Sequence, residues 1–319
     1  MEKMNSKQEK ILSILDKDAR LSHSKISQLC GVPKSVVTYN INQLIQTQII
    51  KGFTTLIDHS ALGFVELRGY ITTYDTNIDK EKKFIDYLKK LKNTGVVVKS
   101  AGDYSIVVSF YTNNLSNFWV EWFDILKLHK EVINKYFFNI IIEKQMFPFF
   151  ADIQKRTSSQ FIIGNKKAQE IDDTDKKLID FLTKNCRQPI HEMANALNLK
   201  SSSIIYRIKR LESKNIILGY YTIFDLSKLN KEYCRVHFQF DNLLKFDNLI
   251  LNLKSTSQVL SFAKTIGAGN ELEVDFVVDN LDELIKTINN FREKFPGLIR
   301  GYKYFRIIDI YKWNHKPNF

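Results

Sequence analysis

The sequence predicts an α+β chain in which two winged helix-turn-helix domains alternate with two ferredoxin-like domains. Three observations carry that expectation. The chain repeats itself at a constant offset: Ile11 aligns with Leu178, Leu15 with Leu182, Arg20 with Arg187, Tyr39 with Tyr206, Leu44 with Leu211, Gly52 with Gly219, Asp58 with Asp225 and Leu62 with Leu229. The period is too long for a solenoid and has the size of a complete two-domain unit, so the chain reads as a fused tandem. Each copy opens with three helical patterns split by a tight-turn residue, and each closes with the order β-α-β-β-α-β. The boundaries follow: residues 1–60 for the first winged helix-turn-helix, 61–151 for the first ferredoxin-like domain, 152–170 for a linker, 171–229 for the second winged helix-turn-helix and 230–319 for the second ferredoxin-like domain.

Taken in order, Ile11, Ile14 and Leu15 sit at helical spacing, and Arg20-Leu21-Ser22 breaks the pattern. A short second helix over about residues 24–30 buries Ile26 and Leu29, with Ser22 or Ser24 as its cap. Gly31 supplies the turn because glycine takes positive φ without steric cost, and Val32 fills the corner. A third helix over about residues 33–47 carries Val37, Ile41 and Leu44 inward, with Pro33 in its first turn. The β-rich stretch 49–58 reads as a wing. In the second copy, Leu178, Phe181 and Leu182 mark the first helix, and Met193, Ala194 and Leu197 the second. Asn198 makes the turn, Leu199 fills the corner, Ile204, Ile208 and Leu211 line the third helix, and residues 216–225 form the wing.

The first ferredoxin-like domain runs through a strand at 67–74, a helix marked by Phe84, Leu88 and Leu91, and strands at 96–100 and 104–111 around Gly102-Asp103. A helix at 116–128 and a strand at 134–146 complete it. The second gives a strand at 233–241, a helix at 244–253, and strands at 259–265 and 271–278 around Gly267 and Gly269. A helical stripe from Leu281 to Phe295 is stopped by Pro296-Gly297 before the last strand at 298–311. One face of each sheet takes the helices. The other face is buried by pairing the sheets of the two copies, by homodimerisation of the chain, or by both.

The chain has 319 residues, a net charge of +12 and a pI near 9.3. That balance favours a polyanionic partner, nucleic acid or an anionic membrane surface, although a lysine-rich, AT-biased genome yields it too. Cys30, Cys186 and Cys234 are isolated, with no metal-ligand spacing, and read as buried hydrophobes. The polar N-terminus has no apolar signal core, and no run is long enough for a membrane span, so the expected location is the cytoplasm and no membrane partner is expected.

The third-helix faces hold the candidate double-stranded DNA contacts. They are Lys34, Ser35, Thr38, Tyr39 and Asn42 in the first copy, and Lys200, Ser201, Ser202, Ser203, Tyr206, Arg207, Lys209 and Arg210 in the second. Arg207 and Arg210 correspond to Asn40 and Gln43, so the second copy is expected to bind DNA more strongly and with the steeper salt dependence. The six histidines are scattered, no nucleophile or phosphate loop stands out, and Gly267-Ala268-Gly269 joins strands rather than opening a helix. From these observations no catalytic residue, metal or cofactor is expected, and the chain is expected not to be an enzyme.

A helix-turn-helix, a stretch ending in Asp-x-x-x-Leu and a β-α-β-β-α-β domain together resemble the Lrp/AsnC family of transcriptional regulators. Gly31-Val32, Ile49-Ile50-Lys51-Gly52-Phe53, Asp58 and Leu62-Gly63 carry the likeness in the first copy. Asp172, Asp175, Arg187, Leu199, Tyr206-Arg207-Ile208, Arg210-Leu211-Glu212, Gly219-Tyr220, Asp225 and Phe295-Pro296-Gly297 carry it in the second, which matches better. The resemblance implies a DNA-binding regulator whose ferredoxin-like domain handles assembly and, in some members, an amino-acid or other small effector. Gly102, Asp103, Gly267 and Gly269 lie at that effector-region turn, where the other reading is a tight strand-to-strand turn. A fused tandem implies a pseudo-dimer within one chain. The first copy has Ser6-Lys7-Gln8 where the family has an acidic residue and Asn40 where it has arginine, which points to an interaction module as an alternative role for that copy. Two further readings stand beside the regulator: an assembly or effector-sensing protein that no longer reads DNA, and an enzyme like the siroheme decarboxylases, which resemble this family in fold.

Overall fold

The computed structural model describes residues 4–74, 78–150, 161–267, 269 and 271–319. The first copy holds α1 (Ser6–Lys17), α2 (His23–Cys30), α3 (Lys34–Gln46), β1 (Ile50–Ile57), β2 (Val65–Thr73), α4 (Ile78–Lys90), β3 (Thr94–Gly102), β4 (Ile106–Thr112), α5 (Leu115–His129) and β5 (Ile133–Met146). A short strand β6 (Phe161–Ile163) precedes the second copy. That copy holds α6 (Asp173–Lys184), α7 (Ile190–Leu197), α8 (Ser201–Ser213), β7 (Ile217–Phe224), β8 (Glu232–Phe240), α9 (Phe246–Lys254), β9 (Val259–Gly267), β10 (Leu272–Val278), α10 (Leu281–Lys294) and β11 (Ile299–Trp313). The segment expected to be only a linker therefore contains a strand. Its residues 152–160, the turn residues Ala268 and Asn270, and the first three residues of the N-terminus lie outside the described residues.

Local signals act as their chemistry dictates. Asn5 and Gln8 form a reciprocal capping box at the start of α1, and Asp172 caps α6 by accepting from the Asp175 N–H. Ser22 caps α2 through the Lys25 N–H at 3.2 Å. Gly31 ends α2 at φ 70° and Asn198 ends α7 at φ 52°, both left-handed. Each three-helix unit then closes over its own apolar cluster, around Leu15, Ile26, Val37 and Leu44 in one and around Leu182, Met193, Ile204 and Leu211 in the other.

The two stretches read as separate wings are the two halves of one ribbon. β1 and β7 pair antiparallel with each other, from Ile50 opposite Phe224 to Ile57 opposite Ile217. Each ribbon strand also grips the other copy's first helix. Thr54 and Thr55 donate their hydroxyls to the Thr183 and Leu182 carbonyls at 2.7 and 2.9 Å, and Thr222 donates to the Leu15 carbonyl at 2.9 Å. Arg20 lies over the Tyr220 ring and Arg187 over the Phe53 ring, each at 5.2 Å. The repeated arginines are thus twin clamps between the copies.

Below the ribbon, the strand order β2-β4-β3-β11-β8-β10-β9-β5 returns to β2, closing eight strands into a barrel, and β6 adds to the outside edge of β5. The copies meet at two seams, β3 with β11 and β5 with β9. Apolar alternate residues such as Leu272, Val274, Phe276 and Val278 face out into the cores formed with α9 and α10. The intervening positions face the barrel interior.

Candidate nucleic-acid interface

Both third helices leave their outer faces open. Lys34, Ser35, Tyr39 and Asn42 are exposed on or beside α3, and Lys200, Ser201, Ser202, Tyr206 and Lys209 are exposed on or beside α8. Thr38 and Ser203 are half-buried, and Thr38 donates its hydroxyl to the Lys34 carbonyl at 3.0 Å and is hydrogen-bonded to His23 Nδ1 at 2.9 Å. The twin tyrosines stand equally clear, Tyr39 at 64% exposure and Tyr206 at 66%. Exposed tyrosines, lysines and hydroxyls along one helix face suit contact with phosphates and base edges.

Arg207 and Arg210 sit differently. Arg207 Nη1 reaches Asp172 at 2.7 Å and Asp175 at 2.8 Å, and Arg210 Nη2 bonds Asp175, whose side chain is 1% exposed. The pairs tie α8 to α6 behind the reading face, and the Arg207 hydrogen bonds hold the Asp172 carboxyl below its usual range. In the first copy Gln8 donates to Gln43 at 3.1 Å, and Asn40 is buried, donating to the Val36 carbonyl at 2.7 Å. The missing acid and the missing arginines of the first copy are therefore one exchange, of an ionic tie for an amide tie.

The barrel interior holds a second group of functional-type residues. Arg68 bonds Glu66 at 2.6 Å in its own strand and Glu273 of the other copy at 2.5 Å. Asn139 donates to Glu273 at 2.8 Å, and Arg235 bonds Asp275 at 2.6 Å. Burial alone would raise the Glu66 carboxyl, but Arg68, His59 and Lys144 hold it well below the carboxylate range. Burial lowers Lys144 to about 8. Burial also lowers His237 to about 4 and His315 to about 3, against the pull of Glu273 and Glu66 respectively. His59 is lowered by burial too. Three histidines that look scattered in sequence thus share one polar interior. The signal available beforehand was the polar alternation of Glu66-Leu67-Arg68 and Glu273-Val274-Asp275 on strands whose other face is apolar. The void there is only about 20 Å³, room for about one water and no substrate.

A larger cleft of about 680 Å³ opens between β7, the start of β8, β11 and the end of β5, with Lys51, Phe147, Tyr221, Asp225, Arg306 and Trp313 among its walls. The effector-turn residues are elsewhere. Gly102 (φ 124°) crosses β11, where a Cβ would lie 3.0 Å from the Tyr304 carbonyl oxygen. Gly267 crosses β5, where a Cβ would lie 2.2 Å from Asn139 Oδ1. Close approach between the copies accounts for both glycines, Gly269 occupies a left-handed turn, and Asp103 follows Gly102 in its exposed loop. Among the described residues no three His, Cys, Asp or Glu side chains are grouped to hold a metal, and no helix is long and apolar enough to cross a membrane.

Comparison with known proteins bears on both the helices and the whole chain. Residues 171–212 match the AsnC-type helix-turn-helix domain, and residues 4–51 match a winged helix-turn-helix DNA-binding domain. The chain is 31% identical over 112 residues to the HTH-type transcriptional regulator FL11 of Pyrococcus horikoshii, an alignment covering 34% of this chain and 73% of that protein. It is 28% identical over 119 residues to the regulatory protein AsnC of Haemophilus influenzae, covering 36% of this chain and 77% of the relative. In fold, the crystal structure of the siroheme decarboxylase NirDL matches with a TM-score of 0.67 at 10% identity, over 98% of this chain and 94% of that one. The same enzyme in complex with an iron-uroporphyrin III analogue matches at 0.66. The expectation that the chain is no enzyme is corrected by that likeness, because the architecture of the whole chain is one that a decarboxylase also uses. Isolated histidines in a sequence were poor grounds for that expectation, since the barrel gathers three of them among carboxylates.

Proposed function

The chain belongs to the Lrp/AsnC family of transcriptional regulators, and from that premise we propose that it is a sequence-specific regulator of double-stranded DNA whose two reading helices, α3 and α8, act as an intramolecular pair. The observation that carries this reading is that both helices keep their outer faces clear of packing, with Tyr39 and Tyr206 equally exposed. The shared ribbon supports it further, because it fixes one reader to the other as a dimer interface would. Lys200, Ser201, Ser202, Tyr206 and Lys209 form the stronger contact set, and Ser203 contributes at its margin. Lys34, Ser35, Thr38, Tyr39 and Asn42 form the weaker one. Arg207 and Arg210 are positioning residues that hold α8 on α6. Regulation of this kind takes place in the cytoplasm.

The test is a binding titration with the upstream region of its own gene against random duplex at two salt concentrations. A preference for the upstream region that persists at the higher salt supports the reading. Equal, salt-labile binding to both duplexes leaves only attraction by a basic surface and overturns it.

A second reading has one observation in its favour, the full-length likeness in fold to a siroheme decarboxylase. In that reading the 680 Å³ cleft receives a tetrapyrrole. An absorbance titration with siroheme checks it: a saturable shift of the tetrapyrrole bands, lost when the cleft residue Trp313 is replaced by alanine, supports an enzyme of that class, and an unchanged spectrum removes it.

A further inference from the structure

The two copies are alike in outline and differ in one place that DNA reading does not use. In the first copy, β5 runs on past the start of β2, and the edge this leaves is covered by the chain itself. Phe161–Ile163 pair antiparallel with Lys144, Gln145 and Met146. The Phe161 ring lies on Gly219 of β7, where a Cβ would come within 2.2 Å of it. The backbone then continues along the turn after β1: the Gly164 N–H donates to Asp58 Oδ1 at 3.1 Å and the Lys166 N–H donates to Ser60 Oγ at 3.0 Å.

The second copy repeats each part of that seat. β11 runs on to Trp313, although its last pair with β8 is Ile307 opposite Tyr233. Gly52, the counterpart of Gly219, has only the tip of Ile223, at 3.8 Å, near a would-be Cβ among the described residues. Asp225 and Ser227 reproduce the acceptors: Ser227 donates its N–H and hydroxyl to Asp225 at 3.1 and 2.6 Å, as Ser60 does to Asp58 at 3.0 and 2.7 Å. No described segment lies in this second seat, which opens onto the 680 Å³ cleft. Ile308 and Ile310 stand exposed on its wall.

We propose that this cleft is a docking groove for an extended peptide segment of a partner protein, which adds a strand antiparallel to the end of β11. The chain's own segment defines the chemistry of the occupant: an aromatic side chain over Gly52, two aliphatic residues along β11, then a glycine whose N–H meets Asp225. Strand addition draws affinity from main-chain hydrogen bonds and selectivity from the pockets for alternate side chains. The charges of the groove fit a peptide better than a polyanion. Lys51 pairs with Asp225 at 2.9 Å, Arg306 with Glu232 at 3.2 Å, and Lys231 with Asp279, so each of these cations already has a carboxylate partner.

The test uses a fluorescent peptide with the sequence of residues 161–170 and the full chain, read by anisotropy and by amide hydrogen exchange. Saturable one-to-one binding with a dissociation constant of roughly micromolar order is expected. A Phe161→Ala peptide should bind about tenfold more weakly, as the loss of one buried aromatic requires. Gly52→Val puts a branched side chain where the ring would lie and should block it, Ser227→Ala should weaken binding more mildly, and exchange should slow at residues 308–313. Absence of binding overturns the proposal. So does binding unaffected by Gly52→Val, which would mean that the peptide only displaces β6 from its own seat. Displacement of the peptide by iron-uroporphyrin III also overturns it, in favour of a small-molecule cleft.

Discussion

In the second helix-turn-helix unit the third helix is bound to the first by carboxylates and guanidiniums, Asp172 and Asp175 against Arg207 and Arg210. In the first unit the equivalent positions carry Gln8 and Gln43, joined by one amide hydrogen bond of 3.1 Å. The reading faces in front of these ties are similarly open, so the difference lies behind the helix rather than on it. An arginine on a recognition helix is therefore not a DNA contact by position alone. Its role depends on whether an acid stands one helix away, and the two copies changed acid and base together.

The largest expected effect follows from breaking the ionic tie. Asp175→Ala leaves two guanidiniums without their buried partner and should cost about 3 kcal/mol of stability in the second unit. Gln8→Ala should cost only about 1 kcal/mol in the first. Denaturant unfolding of the two variants compares them, and equal losses would erase the distinction. Replacing Asp175, Arg207 and Arg210 together by the first copy's Gln8, Asn40 and Gln43 chemistry should recover most of the loss.

Acid should separate the barrel from the helical units. His237 titrates near 6.5 when unfolded and at about 4 when folded, so the unfolded chain takes up the proton first. Stability is intact above pH 6.5 and falls as pH drops toward 4, by roughly 3 kcal/mol for this residue. The lowered Asp172 acts only near and below its unfolded value of 3.8, so the ionic tie persists while the barrel is already weakened. Unfolding midpoints measured from pH 7.5 to 4 report this, and a flat profile through 6 and 5 would refute the buried neutral histidine.

On DNA the contrast is smaller. Removing Lys200 and Lys209 should reduce the salt slope of log K by about 1.8, and removing Lys34 by about 0.9, if each lysine neutralises one phosphate. Smallest of all should be Arg207→Lys, which keeps the charge behind the helix. A loss of affinity larger than that of the double lysine variant, at unchanged stability, would return Arg207 to the DNA surface.

Much of this architecture is legible in the sequence, because the signals are local. The order of elements, the left-handed turns at Gly31 and Asn198 and the Ser22 cap depend on residues within a few positions of each other, and the tandem offset emerges once the two copies are laid side by side. The ribbon was not legible. A strand after a helix-turn-helix looks like a wing until its partner is known, and the partner of β1 lies in the other copy. The interior was hidden for a similar reason. Pairing of the two sheets was expected to bury the face that carries Glu273 and Asp275, but strand alternation does not show that closure into a barrel brings Glu273 against Arg68 of the other copy while Asp275 bonds Arg235 of its own. The residues proposed to contact DNA were legible as an exposed helix face, but the ion pairs of Arg207 and Arg210 with Asp172 and Asp175 were not, because periodicity places a side chain on a helix without saying what it grips.

The buried charges of the barrel also impose a parity. The first copy contributes Glu66, Arg68 and Lys144, one cation in excess; the second contributes Arg235, Glu273 and Asp275, one anion in excess. Together they cancel. Two first halves brought face to face would enclose two surplus positive charges, and two second halves two surplus negative ones, away from bulk solvent. Unlike halves alone can close the barrel neutrally. The duplicated units have become complementary rather than interchangeable, so the interior favours the pairing of unlike halves even where the chain between them is cut.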